Sequence, residues 1–142
     1  MLLIKLVFFF IFQDIKFNSQ FTGEFFEIEA TDFFLEPDAR LECIGRGTTE
    51  KTPGAGLDNA QGGSGAGHAT EGGRSAVDGG GTYGSLYRPV ETGSSGGKGP
   101  HGLPGSRGGG KVRVWVGFAL TLDGIINVDA ENAAANSGNS AK

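Results

Sequence analysis

The sequence predicts an all-β protein, built as a short parallel β-solenoid whose β-helix-like coils are interrupted by a long Gly-rich loop. Three observations predict this architecture. Two separate stretches carry the alternating apolar pattern of strands. Of the 27 Gly residues, 23 lie together in residues 45–110, between those stretches. The two strand-like stretches also resemble copies of each other, and internal repeats are typical of solenoids.

The second strand-like stretch, residues 111–131, begins with an apolar residue at every other position. These positions are Val112, Val114, Val116, Phe118, Leu120 and Leu122. Side chains alternate across a strand, so the pattern predicts one apolar face. Asp123-Gly124 then interrupts the run. A two-residue hairpin there would set Phe118 opposite Asp129, which leaves two alternatives: a three-residue loop with a bulge at Gly124, or a solenoid corner.

The first strand-like stretch, residues 21–44, contains several short alternations. Phe26, Ile28 and Ala30 share one face, Thr31-Asp32 shifts the phase, and the alternation resumes with the apolar residues Phe33, Leu35, Ala39, Leu41 and Cys43. Pro37 cannot donate to a sheet ladder and predicts a corner. The single Cys43 is interpreted as a small buried apolar side chain, with an intermolecular bridge or a reactive thiol as the alternative.

The two strand-like stretches can be aligned on the Asp residue at the predicted corner of each. Asp38 falls on Asp123, Leu41 on Ile126 and Cys43 on Val128, with a small shift needed upstream of Asp38. Stacked corner carboxylates would suit a weak Ca²⁺ site. Asp also favours turns by bonding its own backbone, and that interpretation is preferred.

Residues 1–20 are predicted to hold a signal segment. Residues 2–12 carry only Lys5 as a charge, and this run has the length of a signal-peptide apolar core. It is too short to cross a bilayer as a helix. The alternative is that residues 15–17 belong to a strand of an upstream coil.

Residues 45–110 are predicted to form a Gly-rich loop, and residues 132–142 a disordered tail. Gly-rich chain is costly to order, which favours a flexible excursion. The alternative is that an aromatic island, residues 82–90, docks onto the coils. Within it, Tyr83, Tyr87 and Arg88 are the possible contact residues, because aromatic side chains offer large contact area at low entropic cost.

Several of these segments together resemble a known kind of module. They read GAGH (65–68), GGRS (72–75), TYGSLYRPVETGSSGG (82–97) and GGGKVRVWVGFALTLDGIINVDAEN (108–132). They resemble Gly-rich modules of very large secreted or cell-surface proteins of eukaryotes. The resemblance implies a β-solenoid-like unit in a secreted or cell-surface protein and no defined activity.

The composition excludes some functions. The net charge is −4 and the 12 Lys and Arg residues are scattered, so nothing predicts nucleic-acid binding. No segment predicts a transmembrane helix. The two His residues, His68 and His101, have no Cys or His at metal-ligand spacing, and no catalytic, cofactor-binding or metal residue is predicted.

We therefore expect not an enzyme but a structural or interaction module of an extracellular Gly-rich repeat protein. It would serve adhesion or matrix formation, and its partners would be other repeats of the same chain or extracellular partners. The alternative is a fragment of a β-helix carbohydrate-active enzyme. For that activity the only candidates are outward-facing residues of the two strand-like stretches, Glu27, Glu29, Arg113 and Trp115.

Overall fold

The computed structural model describes residues 14–48, 52–85 and 87–132. Their regular structure is strand, apart from a single turn of 3₁₀ helix at Pro100–Gly102. The strands are β1 (Ile15–Phe17), β2 (Gln20–Thr22), β3 (Phe25–Leu35), β4 (Arg40–Glu42), β5 (Lys111–Leu122) and β6 (Ile125–Asn127). The protein is therefore all-β, as predicted.

The strands form two sheets in which every pairing is parallel. One sheet has the order β1-β3-β5 and the other β2-β4-β6. The chain thus passes from the first sheet to the second three times, and each strand pair lies beside the previous one. In the first sheet Phe33 lies between Ile15 and Leu120. In the second sheet Leu41 lies between Phe21 and Ile126.

No hairpin forms at Asp123-Gly124, because β5 and β6 lie in different sheets and the chain turns a corner between them. Leu41 lies beside Ile126, as the alignment of the two stretches predicted. Upstream, Leu35 lies beside Leu122, two residues later than an ungapped alignment would place it. The reason is the length of the corner, which is four residues between β3 and β4 and two between β5 and β6.

The core lies between the two sheets and consists of the apolar positions that the first stretch predicted. The buried side chains are Phe26, Ile28, Ala30, Phe33, Leu35, Ala39, Leu41 and Cys43. Aromatic rings join the first strand pair to this core. The Phe17 ring contacts Phe21 and Phe33 edge-on, with centroids 4.8 and 5.6 Å apart.

One irregularity interrupts the long pairing of β3 with β5. Ala30 lies beside Val116 but Asp32 lies beside Ala119, so β5 holds one residue more than β3 at this point. The Asp32 carboxylate accepts a hydrogen bond from the Ala119 amide at 2.9 Å. The predicted burial of the alternating positions is wrong at Phe118, which lies in this bulge and is 86% exposed.

The described part of residues 45–110 contains no strand, yet its backbone is closely packed. Hydrogen bonds join neighbouring segments at steps of three residues: the Gly80 and Tyr83 amides donate to the carbonyls of Gly65 and His68. Similarly, the amides of Gly56 and Asn59 donate to the carbonyls of Ser95 and Lys98. Three residues is the period of a polyproline II helix. We call this set of segments the glycine layer.

Glycine is required where these segments approach each other. A Cβ at Gly97 would overlap the carbonyl of Leu57, and one at Gly80 would overlap the carbonyl of Gly54. The layer is also tied to the sheets, because the Gly110 amide donates to the Cys43 carbonyl at 2.8 Å.

Most of the predicted signal segment and nearly all of the predicted disordered tail lie outside the residues that the structure describes. Residues 1–13 and 133–142 lie outside the described residues. Residues 15–17 form β1, as the alternative interpretation of that segment proposed.

Candidate functional site

The β5 and β6 strands form the last position in each sheet and leave an apolar surface open. Among the described residues, β5 pairs with β3 and β6 with β4, and no strand pairs with their outer edges. The large apolar side chains exposed on this surface are Phe118, Leu120, Leu122 and Val128. We call this surface the open end. Ile125 is also exposed, but it lies beside the exposed Arg40 on the outer face of the second sheet.

Side chains at equivalent positions of β3 and β5 differ in their exposed fraction. Phe33 and Leu35 in β3 are 0% and 1% exposed, whereas their partners Leu120 and Leu122 in β5 are 54% and 49% exposed. In each pair, Phe33 with Leu120 and Leu35 with Leu122, the two residues occupy equivalent positions on the same face of the sheet. The difference is that β3 has a strand on each side and β5 has a described strand on one side only. The open end is therefore core surface without a covering layer.

A second cluster lies on the outer face of the first sheet. The register sets Glu27 beside Arg113 and Glu29 beside Trp115. The Arg113 guanidinium is 3.5 Å from the Glu27 carboxylate and lies over the Trp115 ring at 4.4 Å from its centroid. The structure thus brings together the four residues that the sequence named for the carbohydrate alternative.

This outer cluster combines a charged pair with an aromatic surface. Trp115 is 44% exposed, and the Arg113 guanidinium makes a cation–π contact with its ring. The ion pair with Glu27 fixes the guanidinium of Arg113 in place. The cluster therefore presents a partly exposed indole beside fixed charges, an arrangement suited to binding a polar ligand with an apolar face.

The three predicted contact residues of the aromatic island differ in their contacts and exposure. The Tyr83 hydroxyl donates to the Thr92 carbonyl at 2.6 Å, and its ring contacts His68 edge-on at 4.5 Å. Tyr87 is fully exposed. Arg88 is exposed, and its backbone amide donates to the Ser85 hydroxyl at 3.2 Å. Tyr83 thus anchors the island within the glycine layer, while Tyr87 and Arg88 remain on the surface.

Cys43 fits its interpretation as a small buried side chain. It is a free cysteine, 0% exposed, with its Sγ 3.7 Å from the Lys111 carbonyl. Burial raises the pKa of the Cys43 thiol to about 11, although the Lys111 hydrogen bond and the Arg46 charge oppose that shift. The thiol is therefore protonated at neutral pH and a poor nucleophile.

Across residues 14–48, 52–85 and 87–132, no three His, Cys, Asp or Glu side chains are grouped so that they would hold a metal ion. Within the same ranges, no helix has the length and apolarity needed to cross a membrane.

Comparison of the chain with models of known protein families, with curated proteins and with solved structures finds no match. What the fold defines is a class, an all-β protein of parallel sheets with an open end and an outer cluster. The sequence missed the exposure of Leu120 and Leu122. The local alternation is the same in a buried strand and in an end strand, so it carries no signal for this difference.

Proposed function

We propose that this chain is a structural or interaction module of an extracellular Gly-rich repeat protein, serving adhesion or matrix formation. In this proposal the three strand pairs are coils of a parallel β-solenoid. The observation that carries it is the open end, where Leu120 and Leu122 expose about half of their surface at core positions. Solenoid coils contact only their neighbours, so a terminal coil needs a cap or another coil.

The apolar surface at the open end is large enough to drive such stacking. Complete burial of a Leu, Ile, Val or Phe side chain contributes about 1.5–3 kcal/mol. The open end has four such side chains, each at least 44% exposed. Covering them would contribute roughly 5 kcal/mol before the entropic cost of association is subtracted. The parallel edges of β5 and β6 would supply backbone hydrogen bonds as well.

The partner in this proposal is a further repeat of the same protein, and the location is secreted or at the cell surface. The location is supported by the resemblance of residues 82–97 and 108–132 to Gly-rich modules of large extracellular proteins. The register adds support for repetition, because Leu41 and Ile126 occupy equivalent positions in successive strand pairs.

The proposal is tested by sedimentation velocity over a range of concentrations. The 142-residue chain should associate as its concentration rises, because a second copy can cover the open end. Leu120→Asp combined with Leu122→Asp should remove this association, because carboxylates at the interface resist burial. Thr121→Asp is the matched control, since residue 121 faces the opposite side of β5. A wild-type chain that stays monomeric, or a double variant that associates equally, contradicts the proposal.

A second candidate function, a fragment of a β-helix carbohydrate-active enzyme, is favoured by the outer cluster. Arg113 and Trp115 would contact an anionic polysaccharide through charge and stacking. The test measures binding and cleavage of polygalacturonate and heparin by the wild type, by Arg113→Ala and by Trp115→Ala, with Thr121→Ala as control. If the wild type neither binds nor cleaves these polymers, this candidate is wrong.

A further inference from the structure

We propose that two copies of this chain join at their open ends, with their β5 strands paired antiparallel about a two-fold axis at Gly117. This pairing rests on the proposed function, in which the open end is an interaction surface, and it names the partner as the open end of a second copy. Two identical surfaces that cover each other are related by a two-fold axis. Contact between identical modules of different molecules is a direct route to adhesion.

The apolar alternation of β5 is continuous along the strand. Its even-numbered residues are all apolar, Phe118 included. β5 holds one residue more than β3 opposite Thr31-Asp32, but the change of phase there falls in β3 and not in β5. The apolar face of β5 therefore runs without a break from Val112 to Leu122.

The backbone groups of the even-numbered residues lie on the outer edge of β5. Three amides near the start, middle and end of this strand donate towards β3. These hydrogen bonds run from Lys111 to Glu24, from Ala119 to Asp32 and from Asp123 to Leu35. All three donors are odd-numbered, and successive residues of a strand turn their backbone groups to opposite sides. The even-numbered residues thus offer their amides and carbonyls to the outer edge, which no described strand pairs.

Antiparallel pairing centred on Gly117 matches both properties of this edge. Every apolar even-numbered residue of β5 then lies opposite another in the second copy. The pairs are Val112 with Leu122, Val114 with Leu120 and Val116 with Phe118. Each pair joins residues whose backbone groups face the outer edge, so each is a hydrogen-bonded pair. Each also sets two apolar side chains together on the same face.

Other registers match less well. A centre on Val116 would set Leu122 opposite Gly110, and a centre on Phe118 would set Val112 opposite Gly124. A centre between two residues would set the apolar positions of one copy opposite the outward positions of the other. The axis at Gly117 is therefore the register that uses the whole apolar face.

This register supplies a neighbour for Phe118. The side chain is 86% exposed, the highest value among the apolar residues of the open end. In the dimer it lies opposite Val116 and diagonal to Phe118 of the second copy. Diagonal residues of antiparallel strands are roughly 7–8 Å apart, a distance that aromatic side chains span. The pairing thus covers the side chain that the described residues leave most open.

The outward positions are complementary in charge. Lys111 comes to lie opposite Asp123 of the second copy, and Asp123 is exposed. The Lys111 ammonium donates to the Val90 carbonyl at 2.6 Å and has further donors for a carboxylate. Arg113 comes to lie opposite the uncharged Thr121, so the two copies set no like charges against each other at these positions.

Cysteine cross-linking tests the position of the axis. Gly117→Cys is accommodated, because the nearest atom to an added Cβ is 3.8 Å away. In the dimer this residue lies opposite itself in a non-hydrogen-bonded pair, with Cα atoms about 4.5 Å apart. A disulfide needs about 4.4–6.8 Å. The control is Thr121→Cys on the same face of β5, whose copies would lie roughly 26 Å apart. Both variants carry Cys43→Ala.

The two variants are oxidised mildly as full 142-residue chains, at a concentration where sedimentation velocity shows the wild type associated. Gly117→Cys should form its intermolecular disulfide at least about ten-fold faster than Thr121→Cys, because only its thiols are held within reach. Non-reducing electrophoresis measures both rates. Equal rates in associated protein would overturn the two-fold axis and leave the proposed function standing. A wild type that stays monomeric would contradict the proposed function and this pairing together.

A mixed pair checks the register without changing Gly117. Arg113→Cys and Thr121→Cys, each with Cys43→Ala, lie opposite each other across the proposed axis. Their mixture should yield the mixed disulfide, identified by mass spectrometry, in excess of either self-disulfide. Mixed and self-disulfides in the proportions of random combination would refute the register.

Discussion

Asp32 shows how one side chain accommodates an extra residue between two long strands. Its carboxylate accepts the Ala119 amide at 2.9 Å, where β5 is one residue longer than β3. Asp32→Ala should lower the free energy of unfolding by roughly 1–3 kcal/mol, because the amide loses its acceptor. Asp32→Asn keeps a hydrogen-bond acceptor, so its free energy of unfolding should fall by less than that of Asp32→Ala. Urea denaturation measures both, with Asp38→Ala at an exposed corner as control; equal losses in Asp32→Ala and Asp38→Ala would contradict this role.

The Cys43 thiol predicts a dependence of stability on pH. Its pKa is raised by burial to about 11 in the folded chain, from an ordinary value of 9.0. Above pH 9 the unfolded chain loses the thiol proton while the folded chain keeps it. Stability contributed by the neutral thiol is therefore complete below pH 9 and is lost as pH rises towards 11.

The difference is measured by urea denaturation of the wild type and Cys43→Ala at pH 8, 9, 10 and 11. The wild type should lose on the order of 2 kcal/mol more than Cys43→Ala between the lowest and highest pH. The contributions of all other side chains are common to both proteins and cancel in the comparison. Parallel pH curves for the two proteins would show that the thiol is not buried.

Tyr83 and Tyr87 form a matched pair within the aromatic island. Tyr83 bonds the Thr92 carbonyl and contacts His68, whereas Tyr87 is fully exposed. Tyr83→Ala should increase the rate of proteolysis within residues 52–85 and 87–110, while Tyr87→Ala should leave it unchanged. Limited proteolysis with thermolysin, followed by mass spectrometry, measures this. If the variant that combines Tyr83→Ala with Tyr87→Ala is cleaved no faster than the wild type, the island does not anchor the glycine layer.

At the scale of the elements, the glycine layer depends on close backbone approach. Gly97→Ala would drive a methyl group into the Leu57 carbonyl, whereas at Gly96 the nearest atom to an added Cβ is 3.6 Å away. We expect Gly97→Ala to destabilise the layer by roughly 1–3 kcal/mol and Gly96→Ala to have little effect. Hydrogen exchange of the Gly65 and Gly80 amides, which bond within the layer, reports the difference. Equal exchange in the two variants would argue against tight packing.

The sequence predicted the strands better than the glycine layer, for a physical reason. Alternation is a local property, so Phe26, Ile28 and Leu41 were identified as core positions from their own segments. The three-residue hydrogen-bond steps of the layer join residues far apart, such as Gly56 with Ser95. A flexible Gly-rich chain has the same composition as a packed one, so the sequence left both alternatives open.

For the molecule as a whole, the similarity of the two strand-like stretches predicted that their strands lie side by side, but it did not predict the complete register between them. Leu41 lies beside Ile126 as the alignment required, whereas Leu35 lies beside Leu122 because the two corners differ in length. The same register brings Glu27 to Arg113, residues that the sequence named without placing them together. Corner length and the bulge at Asp32 decide which residues meet, and neither follows from apolar periodicity alone.

The proposed function makes this chain one module of a larger extracellular protein. An immunoblot of culture medium and cell fractions of the source organism tests it most directly, with an antibody against the peptide of residues 82–90, which includes the exposed Tyr87. We expect a band far above 14.7 kDa outside the cell. A band at or slightly below 14.7 kDa would contradict it, because the chain would then act without further repeats.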